Sequence, residues 1–189
     1  MKRTVRSGGG KGRHSMPIYA FEDSCPEVSP GAFVHPEAVL IGSVSVGDRC
    51  FIGAGAVIRA DFASIQVGAG SCVQENCVIH VTPGMGAVIE EDVIVGHGAV
   101  LHDVRIQPGA VVGMAAVLLQ GVTVERDSMV AAGAVVATGF VVPAGKIVAG
   151  NPAKVLKDLP EAYRQVFREG LSLYQKLPER YRKGLRRIC

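Results

Sequence analysis

The 189-residue chain has no tryptophan, and aromatic residues make up only 5% of it. A core assembled around large rings is therefore excluded, and small and branched aliphatic side chains have to fill the interior. No apolar run approaches the roughly 20 residues of a helical membrane span, so no membrane partner is expected. The five cysteines, Cys25, Cys50, Cys72, Cys77 and Cys189, are odd in number and show no CxxC spacing. That excludes an obvious disulfide framework or thiolate zinc site and fits reduced thiols in a cytoplasmic protein. The opening MKRTVRSGGGKGRHS has no apolar stretch of the kind a secretory signal requires.

The net charge of +3 is unevenly spread. Residues 1–15 carry five Lys/Arg and no acid, and residues 160–189 carry eight against three Glu, while residues 16–159 hold seven basic and fourteen acidic side chains. The basic charge thus belongs to two tails around an acidic body with no interleaved aromatics, and a nucleic-acid partner is not expected. Residues 1–16 read as a disordered basic extension. Beyond Pro160, in segment 160–189, the apolar period becomes 3.6. Tyr163, Val166, Phe167, Leu171, Tyr174 and Leu177 share one face of an amphipathic helix of about four turns, which Pro178 is expected to end.

Glycine, by contrast, is plentiful at 24 residues, and between the tails the apolar period is six. The series runs Val34, Leu40, Val46, Ile52, Ile58, then Val67, Val73 and Ile79 after a three-residue insertion. A four-residue insertion precedes Ile89, Val95 and Leu101. One residue is then dropped, and steps of six run from Ile106 to Val148. A small residue or Cys stands four positions after most of these, as at Ala38, Cys50, Cys77, Ala99 and Ser128. One aliphatic residue per six, with glycine at the corners, fits short parallel strands joined by tight turns, three hexads to a triangular coil. The predicted fold for residues 17–159 is an all-β, left-handed parallel β-helix of hexapeptide repeats. Its nineteen core positions make six to seven triangular coils, followed by the C-terminal α-helix. A β-sandwich would need period-two alternation and longer turns, which the sequence lacks.

Three of the five histidines, His80, His97 and His102, lie within residues 80–102. His80 follows Ile79 and His102 follows Leu101, three hexad steps apart, so they stack in neighbouring coils at about the 4.8 Å strand spacing. His97 lies on the adjacent face. Flat strand faces favour a homotrimer, in which His97 of one subunit meets His80 and His102 of another. Three imidazoles leave a fourth zinc position open, and the ion makes hydroxide available at neutral pH. Iron and cobalt are alternative occupants.

The segments RAD (59–61), QEN (74–76), His80 after CVI, and GHGAVLH (96–102) resemble the gamma-class carbonic anhydrase family, in particular its short bacterial members of the phenylacetic-acid-degradation and carnitine-operon type. The resemblance spans roughly residues 17–159. It implies His80, His97 and His102 as metal ligands, Arg59 and Asp61 as an intersubunit ion pair at the edge of the site, and Gln74 as the group that orients metal-bound hydroxide. Cys72 stands where the archetype has Asn, Glu75 replaces Asp, Phe62 replaces Glu, and the loop VTPGMGAV after His80 has no carboxylate. No tyrosine lies between Tyr19 and Tyr163 to match the active-site Tyr of some members. The resemblance therefore implies a weak carbonic anhydrase converting CO2 to bicarbonate. The alternatives are a metal-dependent acyl-CoA thioesterase, a hexapeptide-repeat acyltransferase-like protein, and a non-catalytic metal-binding trimer.

Overall fold

The computed structural model describes residues 17–188, so the expected N-terminal extension lies outside the described residues. The nineteen hexad positions form the core: each is 3% exposed or less. They stack because strands one coil apart pair in parallel and in register, as in Val73 with Val95, Val95 with Val112, and Val112 with Val130. About seven turns of left-handed parallel β-solenoid result. Gly, Asn and Asp make the corners in the left-handed backbone region, for example Asn76, Asp92 and Asp127, where short polar side chains are tolerated.

The prism has three faces. One carries the strands Val78–His80, Val100–His102, Val117–Leu118 and Val135–Val136. The second carries Ala87–Ile89, Arg105–Ile106, Thr123–Val124 and Val141–Val142. The long strand Val57–Val67 pairs with both and so wraps the corner between them. The third face runs from Phe33–Val34 to Lys146–Gly150. There Lys146–Gly150 pairs antiparallel with Ala153–Asp158, which occupies the last open strand edge.

Helix α1, Glu161–Gly184, then runs back along the third face. Leu171 is buried with Phe51 and Cys72, and Tyr174, Leu177 and Tyr181 pack around them. The Tyr181 ring lies 5.2 Å from both Phe33 and Phe51. Two expectations are corrected here. Pro178 does not end the helix but sits inside it. It removes one internal N–H bond, yet Tyr181 on the prism and Arg182, donating to the Pro30 and Ala32 carbonyls, hold the turn beyond it. The apolar face is also shorter than its periodicity suggests. Tyr163 and Val166 are exposed, while Phe167 and Leu171 line a groove of about 670 Å³ between the start of α1 and the prism edge at Gly109 and Asp127. Among the described residues no helix is long and apolar enough to cross a membrane.

Candidate metal centre

Parallel register puts Arg59, His80 and His102 opposite one another in three consecutive coils. Each follows a fully buried hexad residue, Ile58, Ile79 or Leu101, so strand alternation turns all three outward. Asp61 lies two residues beyond Arg59, on the same side of its strand, and accepts a hydrogen bond from Arg59 Nη1. Arg59 and Asp61 are thus an ion pair within the chain itself.

The histidine pair is tightly defined. His80 Nδ1 and His102 Nε2 are 3.1 Å apart, while the remaining nitrogens face carboxylates: His80 Nε2 is 3.1 Å from Asp61 Oδ1, and His102 Nδ1 is 2.9 Å from Asp103 Oδ2. A carboxylate accepts only, so each of those nitrogens carries the hydrogen. The nitrogens that face each other across 3.1 Å are then the ones left to share a proton or to hold a cation. Two imidazoles on one tetrahedral zinc ion stand about 3.3 Å apart, and carboxylate-anchored histidines are the usual ligands of such ions. The residues fit a metal.

Asp103 is 3% exposed. Burial alone would raise its pKa, but hydrogen bonds from the Thr82 hydroxyl and backbone N–H and from His102 outweigh burial and hold it below the ordinary carboxyl value. The Asp61 carboxyl is likewise lowered: its burial is outweighed by hydrogen bonds from Arg59 and His80. Both therefore contribute stability that is full above the unfolded carboxyl value of about 3.9 and is lost as pH falls through the lower folded value. Asp103→Ala is expected to weaken zinc binding about 10–100-fold, measured by competition with a chromophoric chelator. Affinity equal to wild type would show that Asp103 does not set the His102 ring.

His97 stands at the next corner, with Nδ1 2.7 Å from Glu75 Oε2. Its backbone N–H donates to Gln74 Oε1 at 3.2 Å. Gln74 is buried, and its Nε2 lies 3.9 Å from the Cys72 sulfur. Among the described residues no group of three metal-ligating side chains converges within the chain. The structure thus brings together Arg59, Asp61, His80 and His102 and leaves His97 with Gln74 outside that group. Burial pushes the thiols of Cys50 and Cys77 up to about 11 and that of Cys72 up to about 12, which removes them as nucleophiles. Sequence reasoning missed Asp103, Thr82 and the partnership of Glu75 with His97. The signal for Asp103 was the residue dropped between Leu101 and Ile106: that five-residue step leaves Asp103 buried at a left-handed corner.

Prism and histidine column together define a hexapeptide-repeat protein with a stacked histidine pair on its surface. The model of the bacterial transferase hexapeptide (six repeats) matches residues 26–60, and that of the hexapeptide repeat of succinyl-transferase matches residues 103–138. Carnitine operon protein CaiE of Proteus sp. (strain LE138) is 39% identical over 170 residues, 90% of this chain and 86% of that protein. CaiE of Escherichia coli (strain K12) is 37% identical over 162 residues, 86% and 83% of the two chains. Among solved structures, a hexapeptide transferase family protein from Anaplasma phagocytophilum matches with a TM-score of 0.84 at 32% identity, over 88% of this chain and 98% of that one. The BC4754 gene product of Bacillus cereus matches with a TM-score of 0.85 at 29% identity, over 87% and 95%. The chain belongs to the hexapeptide-repeat family that includes CaiE. None of the relatives just described is named as a carbonic anhydrase.

Proposed function

We propose that this protein is a metal-dependent acyl-CoA thioester hydrolase whose sites are shared between subunits of a homotrimer. The observation that carries the reading is the His80–His102 pair, with its coordinating nitrogens 3.1 Å apart and its other nitrogens on Asp61 and Asp103. Zinc, or iron or cobalt, held by this pair and the partner subunit's His97 would lower the pKa of a bound water to about 7 and supply hydroxide at neutral pH. The chain's own groups do the rest. Asp61 and Asp103 fix the tautomer and orientation of both rings, and Arg59 balances the Asp61 charge. Gln74 is fixed beside His97, so it reaches the site with that histidine and offers an amide donor to the carbonyl oxygen under attack. Addition of hydroxide at the carbonyl carbon and loss of the C–S bond release a carboxylate and a thiol.

A thioester is favoured over CO2 for two reasons. The matched repeat models carry transferase names, and residues 81–88 contain no carboxylate to export protons quickly. CO2 hydration is the second reading, favoured by the ordered set Arg59, Asp61, Gln74, His80, His97 and His102, and is expected to be slow. Transfer in place of hydrolysis would need a histidine base, and the Nδ1 contact of His97 with Glu75 suits that role. His80 and His102 do not suit it, because both nitrogens of each are engaged.

Purified protein should contain about one metal per chain and run as three copies of the 19.8 kDa chain in light scattering. It should release free thiol from acyl-CoA, lose that release on chelation, and regain it with zinc. Thiol release unaffected by chelation overturns the reading. Chelator-sensitive CO2 hydration without thiol release establishes the second. Metal without turnover of either substrate leaves a binding protein.

A further inference from the structure

Beside the histidine pair stand two side chains that neither the core nor the metal chemistry uses. Phe62, one residue past Asp61, is 54% exposed, and so is Met85. The Phe62 ring meets the His80 ring edge-on at 5.8 Å. Pairing explains why both are here. Arg59 lies opposite His80 and Ile65 opposite Ala87, so residues 60–64 and 81–86 turn the same prism corner in adjacent coils. The loop tip is open: at Gly84 a side chain would meet nothing within 4 Å. The rigid ring thus presents apolar surface next to His80, and the flexible thioether stands on the same corner one coil on, in a groove it shares with Ser64 and Ala87. A ring and a thioether of this kind suit an apolar chain of variable shape.

We propose that Phe62, with Met85, is the acyl-recognition surface of this site and sets a preference for thioesters of apolar acyl groups several carbons long over acetyl. The inference rests on the thioester reading: the carbonyl lies at His80 and His102, and the acyl tail runs over Phe62. Carbon dioxide would make no use of such a surface. A polar shuttle residue at position 62 would serve proton export, whereas phenylalanine serves chain binding.

The chain has no tryptophan, so Phe62→Trp places a single indole reporter at this surface. The probes are the non-hydrolysable thioether analogues of acetyl-CoA and octanoyl-CoA, added to zinc-loaded protein. The octanoyl analogue is expected to shift the indole emission to the blue and the acetyl analogue to leave it in place. In wild type, KM should fall about fourfold per methylene buried between acetyl- and octanoyl-CoA, up to the reach of the surface. Phe62→Ala should raise KM for octanoyl-CoA at least about tenfold more than for acetyl-CoA, the equivalent of about two methylenes. Met85→Ser should do the same to a smaller degree. An emission that ignores the octanoyl analogue, or a Phe62→Ala enzyme with the wild-type chain-length profile, overturns the proposal. So does a Phe62→Ala protein that dissociates while Phe62→Leu stays assembled with an unchanged profile, since Phe62 is then a subunit contact. If no acyl-CoA is turned over, the hydrolase reading fails, and the emission shift still decides whether the surface binds acyl chains.

Discussion

Alanine at His80 or His102 is expected to strip the protein of its metal and to lower turnover by about 10³-fold or more, the scale on which removing a water-activating group acts. Each ring is half of the 3.1 Å nitrogen pair, and the fold is not expected to mask the effect. Both side chains point away from the core, whose neighbouring residues Ile79 and Leu101 are fully buried and unchanged. Circular dichroism and trimer mass should therefore match wild type. His97→Ala should lose metal equally, although His97 is not part of the pair within one chain, and mixing tests that difference. When His97→Ala and His102→Ala subunits are unfolded and refolded together, every mixed ring regains one complete site. Random 1:1 assembly of a closed threefold ring should then restore about a quarter of the wild-type sites. Each variant refolded alone stays inactive. No restoration in the mixture would mean that His97 does not serve a neighbour, and one chain would have to hold the whole site.

The core and the histidine column were legible because both follow from counting. A six-residue repeat has one inward position per strand, and all nineteen predicted positions are buried. Once the insertions are counted into the repeat, His80 and His102 fall opposite each other, as the pairing places them. The parts that were hidden depend on local departures from the repeat. Asp103 is charged and buried, a combination that hydropathy reads as surface; only its hydrogen bonds from Thr82 and contact with His102 make the burial stable. Pro178 is a helix breaker by local rule, yet tertiary contacts of Tyr181 and Arg182 override it. The identity of the electrophile was the least legible part, because three imidazoles serve CO2 and a thioester alike. The side chain proposed to separate those substrates is Phe62, whose ring lies 5.8 Å from that of His80, and its meaning depends on which loop shares its corner.

The largest effect on folding is expected at a residue that has no side chain to contribute to the core or to the histidine pair. Gly42 lies in the strand Val39–Val46 with a φ of +75° and pairs with Ala60 in the next coil. A Cβ there would stand 2.4 Å from the Ala60 carbonyl oxygen and 3.0 Å from its carbon. Both are backbone atoms and have no rotamer to move into, so Gly42→Ala has to push two coils apart as well as strain its own backbone. The loss should be about 3 kcal/mol or more, lowering the melting temperature by roughly 6–12 °C. Gly133→Ala is the control. Its φ is also positive, at +67°, but a Cβ there meets nothing within 4 Å, so only the left-handed penalty of about 1 kcal/mol applies. Equal losses from the two substitutions would show that coil spacing at Gly42 is not limiting. A larger loss at Gly42 should come with weaker zinc binding, because the carbonyl it displaces belongs to the residue before Asp61. Asp61 holds the His80 ring, so the histidine pair depends on the absence of a single methyl group one coil away.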